Sequence, residues 1–396
     1  MGARTWILFA LIVPLGWLVP QQMGLHVGVF GEPLLSGLAI VAAAFLLSWA
    51  TELAELYVPP AFALIVLALV SVLPEYAVDM HFAWVAGHNP EYIEYAVANM
   101  TGANRLLIGI GWSALAIVHY FKTRQKSLDF GADQRLALGF MLVATLYSFI
   151  LPFKATLSLW DTAVFFAIFL GYVWQSLKTE SEEHPLIGPA AWIGERTSDR
   201  GRITVIFLFM IYACGAIWMA AEPFAEGLVF LGKDWGIEEF LLIQIVAPLA
   251  SEAPELIVAV LFVLRGRAAM ALGALISSKV NQWTLLVGAI PIAFSASRGT
   301  PDYLPLLARP QAELLLTSAQ SLFAIVVLCD LRFTVWEAML LFGLFAGQFL
   351  VPMEGARYVF AGAYFVLVLV MGFSNRERRQ RLIKLLRLTP HEPQKK

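Results

Sequence analysis

Along this chain, apolar runs long enough to cross a bilayer alternate with short polar stretches. They cover roughly 5–21, 34–56, 61–86, 95–121, 135–152, 156–177, 202–222, 238–264, 268–294, 310–330, 333–352 and 357–374. Each approaches the length of about 20 mostly apolar residues that a spanning helix needs, so the pattern predicts twelve membrane helices. The first run follows a lone Arg4, but Pro20-Gln21-Gln22 after it makes a poor cleavage site, and the run reads as an uncleaved span. Lys and Arg concentrate at Arg4, in the loops 122–135 and 178–202, at Arg265, Arg267 and Arg332, and in the tail after 374, all on one side of the predicted membrane. By the positive-inside rule both termini are then cytoplasmic, in a multi-pass protein of the cell (inner) membrane.

A pentapeptide recurs within this pattern. Ser71-Val72-Leu73-Pro74-Glu75 and Ser251-Glu252-Ala253-Pro254-Glu255 place two glutamates 180 positions apart, each inside an apolar run. Each copy leads, after a short break, into a second run containing small and polar residues, 98–104 in one and 273–279 in the other. With the topology above, the helix of Glu75 runs outward and that of Glu255 inward. The copies are therefore inverted, a construction of many secondary transporters, whose binding sites lie near the midplane where the copies meet. The expected fold class is an all-α polytopic membrane protein. Inverted five-helix repeats occupy 34–177 and 202–352, an extra N-terminal span lies in 1–33, a cytoplasmic loop in 178–201, and an extra span with a basic cytoplasmic tail in 353–396.

Composition narrows the class. With 59% hydrophobic and 14% charged residues, an ordinary soluble globule is excluded. The two cysteines, Cys214 and Cys329, sit in apolar runs and form no framework or zinc motif. No phosphate-binding glycine loop ending in Lys-Ser/Thr is present, so no ATP dependence is expected, and no nucleic-acid partner either. In the tail, Arg376, Arg378, Arg379, Arg381, Lys384 and Arg387 alternate with Leu382, Ile383, Leu385 and Leu386, the pattern of an amphipathic helix on anionic lipid or of a plain topogenic tail.

The repeated motif has the elements of an oxygen-lined cation site. Pro74 and Pro254 lack an amide hydrogen and free the carbonyls of Val70 and Ala250. At membrane depth a freed carbonyl needs a partner, and a cation is one. Ser71 and Glu75 are four apart, as are Ser251 and Glu255, so each pair shares a helix face. In the second helix of each pair, Ala98 with Gly102 and Gly273 with Ser277 have the spacing that lets backbones approach closely. Asn99, Asn104 and Ser278 add oxygen donors. Six ionisable groups lie in these helices: Glu75, Asp79, Arg105, Glu252, Glu255 and Lys279. Unpaired at the bilayer centre they would cost on the order of 15–20 kcal/mol. They must meet one another, an ion or water. Carboxylate, amide and carbonyl oxygens suit Na+ or Ca2+ rather than a transition metal. A kinked helix whose glutamate is held by Arg105 or Lys279 is the plainer alternative.

At these residues the sequence resembles the sodium/calcium exchanger superfamily, the calcium/cation antiporters, whose two alpha repeats read approximately G-[ST]-S-x-P-E and G-N-x-x-G-S-N-x-x-[ND]. The resemblance covers 61–121 and 238–294 and the inverted plan of the rest. It implies that Glu75 and Glu255 are the centre of a shared ion site, with Ser71 and Ser251 at the first hydroxyl position. Asn99, Gly102, Asn104, Gly273 and Ser278 match the second motif. Val72 and Glu252 stand where the second hydroxyl belongs, Ala103 replaces a serine, and Ala274 and Lys279 replace the two asparagines of the second repeat. The Lys279 ammonium is then expected to fill a sodium position and pair with Glu252 or Glu255, lowering sodium dependence or passing coupling to protons. The alternative is a lysine that snorkels or caps an acid pair.

The expected function is a secondary cation antiporter with no cofactor, exchanging Ca2+ or a related cation for Na+ or H+ by alternating access across the lipid bilayer. Glu75 and Glu255 hold the cation, Glu252, Ser71, Ser251, Asn99, Asn104 and Ser278 complete its shell, and Asp79, Arg105 and Lys279 provide coupling or an internal charge pair. A non-transporting or sensor protein with a salt-bridged core is the alternative, and an enzyme ranks last because no nucleophile stands beside a base. Glu52 and Glu55, and Glu222 and Glu226, end the spans before the two motifs and are placed to line an approach; His81 and His88 lie near the outer end.

Overall fold

The computed structural model describes residues 2–24, 28–54, 56–57, 72–132, 134–178, 186–351, 355–373 and 376–388. Its helices are α1 (Ala3–Gln22), α2 (Gly28–Ala54), α3 (Leu73–Ala86), α4 (Tyr92–Thr123), α5 (Gln134–Lys154), α6 (Leu159–Ser176), α7 (Gly188–Arg196), α8 (Asp199–Trp235), α9 (Glu239–Leu264), α10 (268–298), α11 (Ala308–Leu328), α12 (Val335–Leu350), α13 (Ala356–Phe373) and α14 (Arg376–Leu385). Among the described residues, α1, α2, α4, α5, α8, α9 and α11 are long and apolar enough to cross a membrane by length and composition alone. The other predicted runs also contain helices. The first part of the 61–86 run, with Ser71 and Val70, lies outside the described residues.

One boundary differs. The sequence ends a run at 222, where Glu222 interrupts the apolar stretch, but α8 continues through Pro223 to Trp235. Its buried face, Phe224, Ala225, Leu228 and Leu231, keeps the helical period of Ala213, Ala216, Ile217 and Ala220 before it. Glu222 is exposed, so the charge that ends the apolar run lies off the packing face.

The chain forms two compact units, one of 1–82 and 180–255 and one of 83–179 and 256–396. In the first, α2 and α8 pack along much of their lengths, with α1 and α7 against them. Its core joins Ala43, Leu46, Leu47, Ala50 and Leu53 of α2 to Ile206, Phe209, Ala213 and Ile217 of α8. Small residues set the approach: a Cβ on Gly227 would lie 2.8 Å from the Pro33 side chain, and one on Gly37 2.8 Å from the Phe224 ring.

In the second unit, elements of each repeat pair with elements of the other that are not their own counterparts. Strand β1 (Ser127–Asp129) pairs antiparallel with β4 (Arg332–Thr334), and β2 (Thr156–Leu157) with β3 (Leu304–Pro305). Helix α4 packs on α11 and α12, while α10 packs on α5 and α6. Both α4 and α10 contain a wider π-helical segment at corresponding positions, Leu107–Trp112 and Gln282–Leu286. Such segments are often found at functional sites. Trp112 and Trp283 within them are fully buried.

The close α2–α8 approach is testable. Gly227→Leu is expected to lower the thermal unfolding midpoint in detergent by overpacking, a cost of about 1–3 kcal/mol. Gly215→Leu, whose Cβ meets nothing within 4 Å, is expected to leave the midpoint unchanged.

Candidate cation-binding site

In the first unit, α3 and α9 gather the acids. Glu75 and Asp79, four apart on one face of α3, are 3% and 0% exposed. Ser251 and Glu252 of α9 are buried as well, and Glu255 is half-buried. The Glu75 carboxylate is within hydrogen-bonding reach of the Ser251 side chain and feels the charges of Glu255 and Asp79. Tyr76 lies beside Glu75 and Asp79. Two of the five motif residues with oxygen-bearing side chains, Glu75 and Ser251, thus meet across the repeats, and Glu255 is a neighbour of Glu75.

The local backbone explains this polarity. Pro248 and Pro254 both lie inside α9, each removing one helical hydrogen bond, which frees the carbonyls of Gln244 and Ala250. The Ser251 hydroxyl is 3.2 Å from the Ala247 carbonyl and 3.3 Å from that of Pro248. No group of three or more His, Cys, Asp and Glu side chains converges as a metal site among the described residues. A cation at Glu75 and Glu255 would therefore need hydroxyl, carbonyl, amide or water oxygens to complete its shell.

The acids flanking the motif behave differently from one another. His81 Nε2 lies 2.9 Å from Glu226 Oε1, joining α3 to α8 and two features that the sequence presents separately. Glu52 accepts a hydrogen bond from the Ile187 amide at 3.2 Å. His88 and Glu222 are exposed, and Glu55 is outside the described residues.

The second unit holds the bases. Lys279, 0% exposed, donates to Asn104 Oδ1 at 2.6 Å and to the Asn104 carbonyl at 3.1 Å. Its ammonium stands 4.5 Å from the centroid of the Trp283 ring, so carbonyl oxygens and a π face replace its hydration. Complete burial rules out snorkelling. Asn104 and Lys279 occupy corresponding positions in the two repeats and meet directly. The amide oxygen expected to face an ion is thus held by an ammonium. Asn99 is buried and Ser278 half-buried, both on helices of the second unit.

Arg105 finds a partner that sequence reasoning missed. Its Nη2 lies 2.5 Å from Glu313 Oε2, both side chains being almost fully enclosed, and Arg357 Nε bonds the other carboxylate oxygen. Arg105 Nη1 also donates to Gln348 Oε1 at 3.0 Å, and Gln320 donates to the Arg105 carbonyl at 3.2 Å. The triad ties α4, α11 and α13 together. A signal was available: Glu313, Thr317, Gln320 and Ser321 recur at helical spacing within the apolar run 310–330 and are all buried.

Comparison with known proteins decides the family. The family model for the sodium/calcium exchanger protein matches residues 33–178 and 205–353, most of the chain. The chain belongs to the sodium/calcium exchanger family. It is also similar to a crystal structure of the H+/Ca2+ exchanger CAX, with 44% identity, a TM-score of 0.92 and 97% of each chain covered. Two further solved structures share the fold at 15% identity. Native YfkE has a TM-score of 0.65, with 91% of this chain and 99% of that one covered. The sodium-calcium exchanger NCX_Mj, soaked with Na+ and Sr2+, has a TM-score of 0.53, with 89% and 99% covered. No curated protein sequence matches. As a member of the exchanger family the protein is a multi-pass cation antiporter, a secondary transporter and not an enzyme, with the family's all-helical fold of two repeats.

Removing the shared acid of the triad leaves two arginines without it in a low-dielectric interior. Glu313→Ala is expected to destabilise the exchanger by about 3–5 kcal/mol, read as loss of monodisperse protein on size exclusion and a lower unfolding midpoint. An unchanged midpoint would show the triad to be dispensable for folding.

Proposed function

We propose that the protein exchanges Ca2+ for H+ by alternating access, with Glu75 and Glu255 as the carboxylates that take the divalent cation in one half-cycle and protons in the other. The observation that carries this reading is the meeting of Glu75 with Ser251 and Glu255, the Pro-Glu elements of both repeats, at a buried position. Two carboxylates held close in low dielectric repel unless a divalent cation or protons neutralise them. That requirement makes Ca2+ and H+ alternative occupants of one place. The 44% identity to an H+/Ca2+ exchanger supports the same pair of ions.

Glu252 and Asp79 are proposed to assist binding or carry protons, and Ser251 to serve as a hydroxyl ligand. Ser71, Asn99, Asn104 and Ser278 are proposed as further oxygen donors on the strength of their places in the motif, since Ca2+ takes about 6–8 oxygens. Lys279 supports proton rather than sodium coupling. A fully buried ammonium held by Asn104 is a cation that cannot leave, and it stands where the family motif has an asparagine. The repeats at 34–177 and 202–352 are proposed as the transport machinery, with both termini cytoplasmic in the cell membrane.

Purified protein in proteoliposomes tests this reading. Ca2+ uptake is expected to follow an inside-acid pH gradient without sodium, and to vanish in Glu255→Gln and Glu75→Gln samples that keep the wild-type elution profile. Uptake retained in either variant would overturn the assignment of the carboxylates. Lys279→Asn is expected to increase the sodium dependence of transport; unchanged coupling would count against the tethered-cation role.

A further inference from the structure

We infer that α14 is a binding surface for anionic lipid headgroups, one face docked on the protein and the other turned to the membrane surface. The observations are its direction, its docking and the composition of the face left over. The axis of α14 is bent 109° from that of α13. Helix α13 fills most of the apolar run 357–374, and with that run as a span a helix bent so far from it lies near the plane of the bilayer.

The docked face is specified residue by residue. Arg378 Nη2 lies 2.9 Å from Asp330 Oδ2 and 2.7 Å from Glu337 Oε1. Burial alone would lower the Arg378 pKa, but the hydrogen bond to Glu337 and the charges of Asp330 and Glu337 raise it. Arg381 donates to the Asp330 carbonyl at 2.8 Å and pairs with Glu377 at 2.5 Å. Leu385 is 5% exposed, and a Cβ on Gly139 would lie 2.6 Å from its carbonyl oxygen. Asp330 follows α11, Glu337 is in the first turn of α12 and Gly139 is in the second turn of α5. Three apolar runs predicted to span, 135–152, 310–330 and 333–352, begin or end there on one side, which is the depth of the headgroups.

Docking through Arg378, Arg381 and Leu385 fixes the rotation of α14. The opposite face carries Arg376, Arg379 and Ile383, continued by Leu386 and Arg387, all exposed. Ile383 is 58% and Leu386 48% exposed. Two aliphatic side chains among three arginines suit an interfacial helix, in which the aliphatics enter the acyl boundary and the guanidiniums meet phosphate. A face turned to bulk water has no use for the aliphatics, and one against a neutral surface has none for the charge.

The test uses the full chain in nanodiscs, with Ile383→Cys carrying a fluorophore and the native Cys214 and Cys329 replaced by alanine. Nitroxide-headgroup lipid reports proximity. Quenching is expected to rise about twofold or more when roughly a third of neutral phosphatidylcholine is replaced by phosphatidylglycerol, and to fall again at high salt. The Arg376→Gln/Arg379→Gln/Arg387→Gln variant is expected to lose that rise. Quenching that is equal in both lipids, with full quenching by aqueous iodide, would overturn the inference. As a measurement free of the label, phosphatidylglycerol is expected to raise the unfolding midpoint of otherwise native protein and not that of the triple variant; equal shifts would likewise overturn it.

Discussion

Charge in a low-dielectric interior has to be paired or solvated by polar groups where it stands, and much of this molecule is arranged around that requirement. Glu75, Asp79 and Glu252 are buried in the first unit, while Arg105 and Lys279 are buried in the second. In the second unit protein groups solvate the bases: Glu313 pairs with both Arg105 and Arg357, and the Asn104 oxygens with the Trp283 ring face surround the Lys279 ammonium. In the first unit the buried Glu75 stands near two other acids, Glu255 and Asp79. Neighbouring carboxylates in such surroundings are stabilised by a cation or by protons, and that is the physical basis of the proposed exchange.

Duplication supplies the geometry. In each unit, corresponding positions of the two repeats become neighbours: Glu75 and Glu255 in the first, Asn104 and Lys279 in the second. The strand ribbons and the packing of α4 on α11 and of α10 on α5 also cross between the repeats, and each such pair is the repeat-related copy of the other. Divergence between the copies then has a direct effect. One position reads asparagine in one copy and lysine in the other, so two residues that would compete for a cation become a donor and its acceptor. The π segments that follow at Leu107 and Gln282 widen both helices one turn after this contact.

The Pro-Glu motifs, their inversion and the runs that become helices were legible because membrane spans are set by apolar length and because duplicated chemistry stands out in an apolar background. The Arg105–Glu313 pair was not, since Glu313 lies outside the recurring motif and pairing across 208 positions leaves no local trace. The bond between Asn104 and Lys279 was not legible either: it follows from the repeat symmetry but needs the helix rotations, which periodicity leaves open. The continuation of α8 past Glu222 was hidden for a similar reason: hydropathy sums all faces of a helix, whereas packing uses one.

The central claim is that one pair of carboxylates serves both Ca2+ and H+. Calorimetric titration of the purified protein with Ca2+, in buffers of different ionisation enthalpy at a pH where the pair is protonated, counts the protons displaced on binding. Release of about two protons per Ca2+ bound is expected. Binding of Ca2+ with no proton release across the accessible pH range would contradict it.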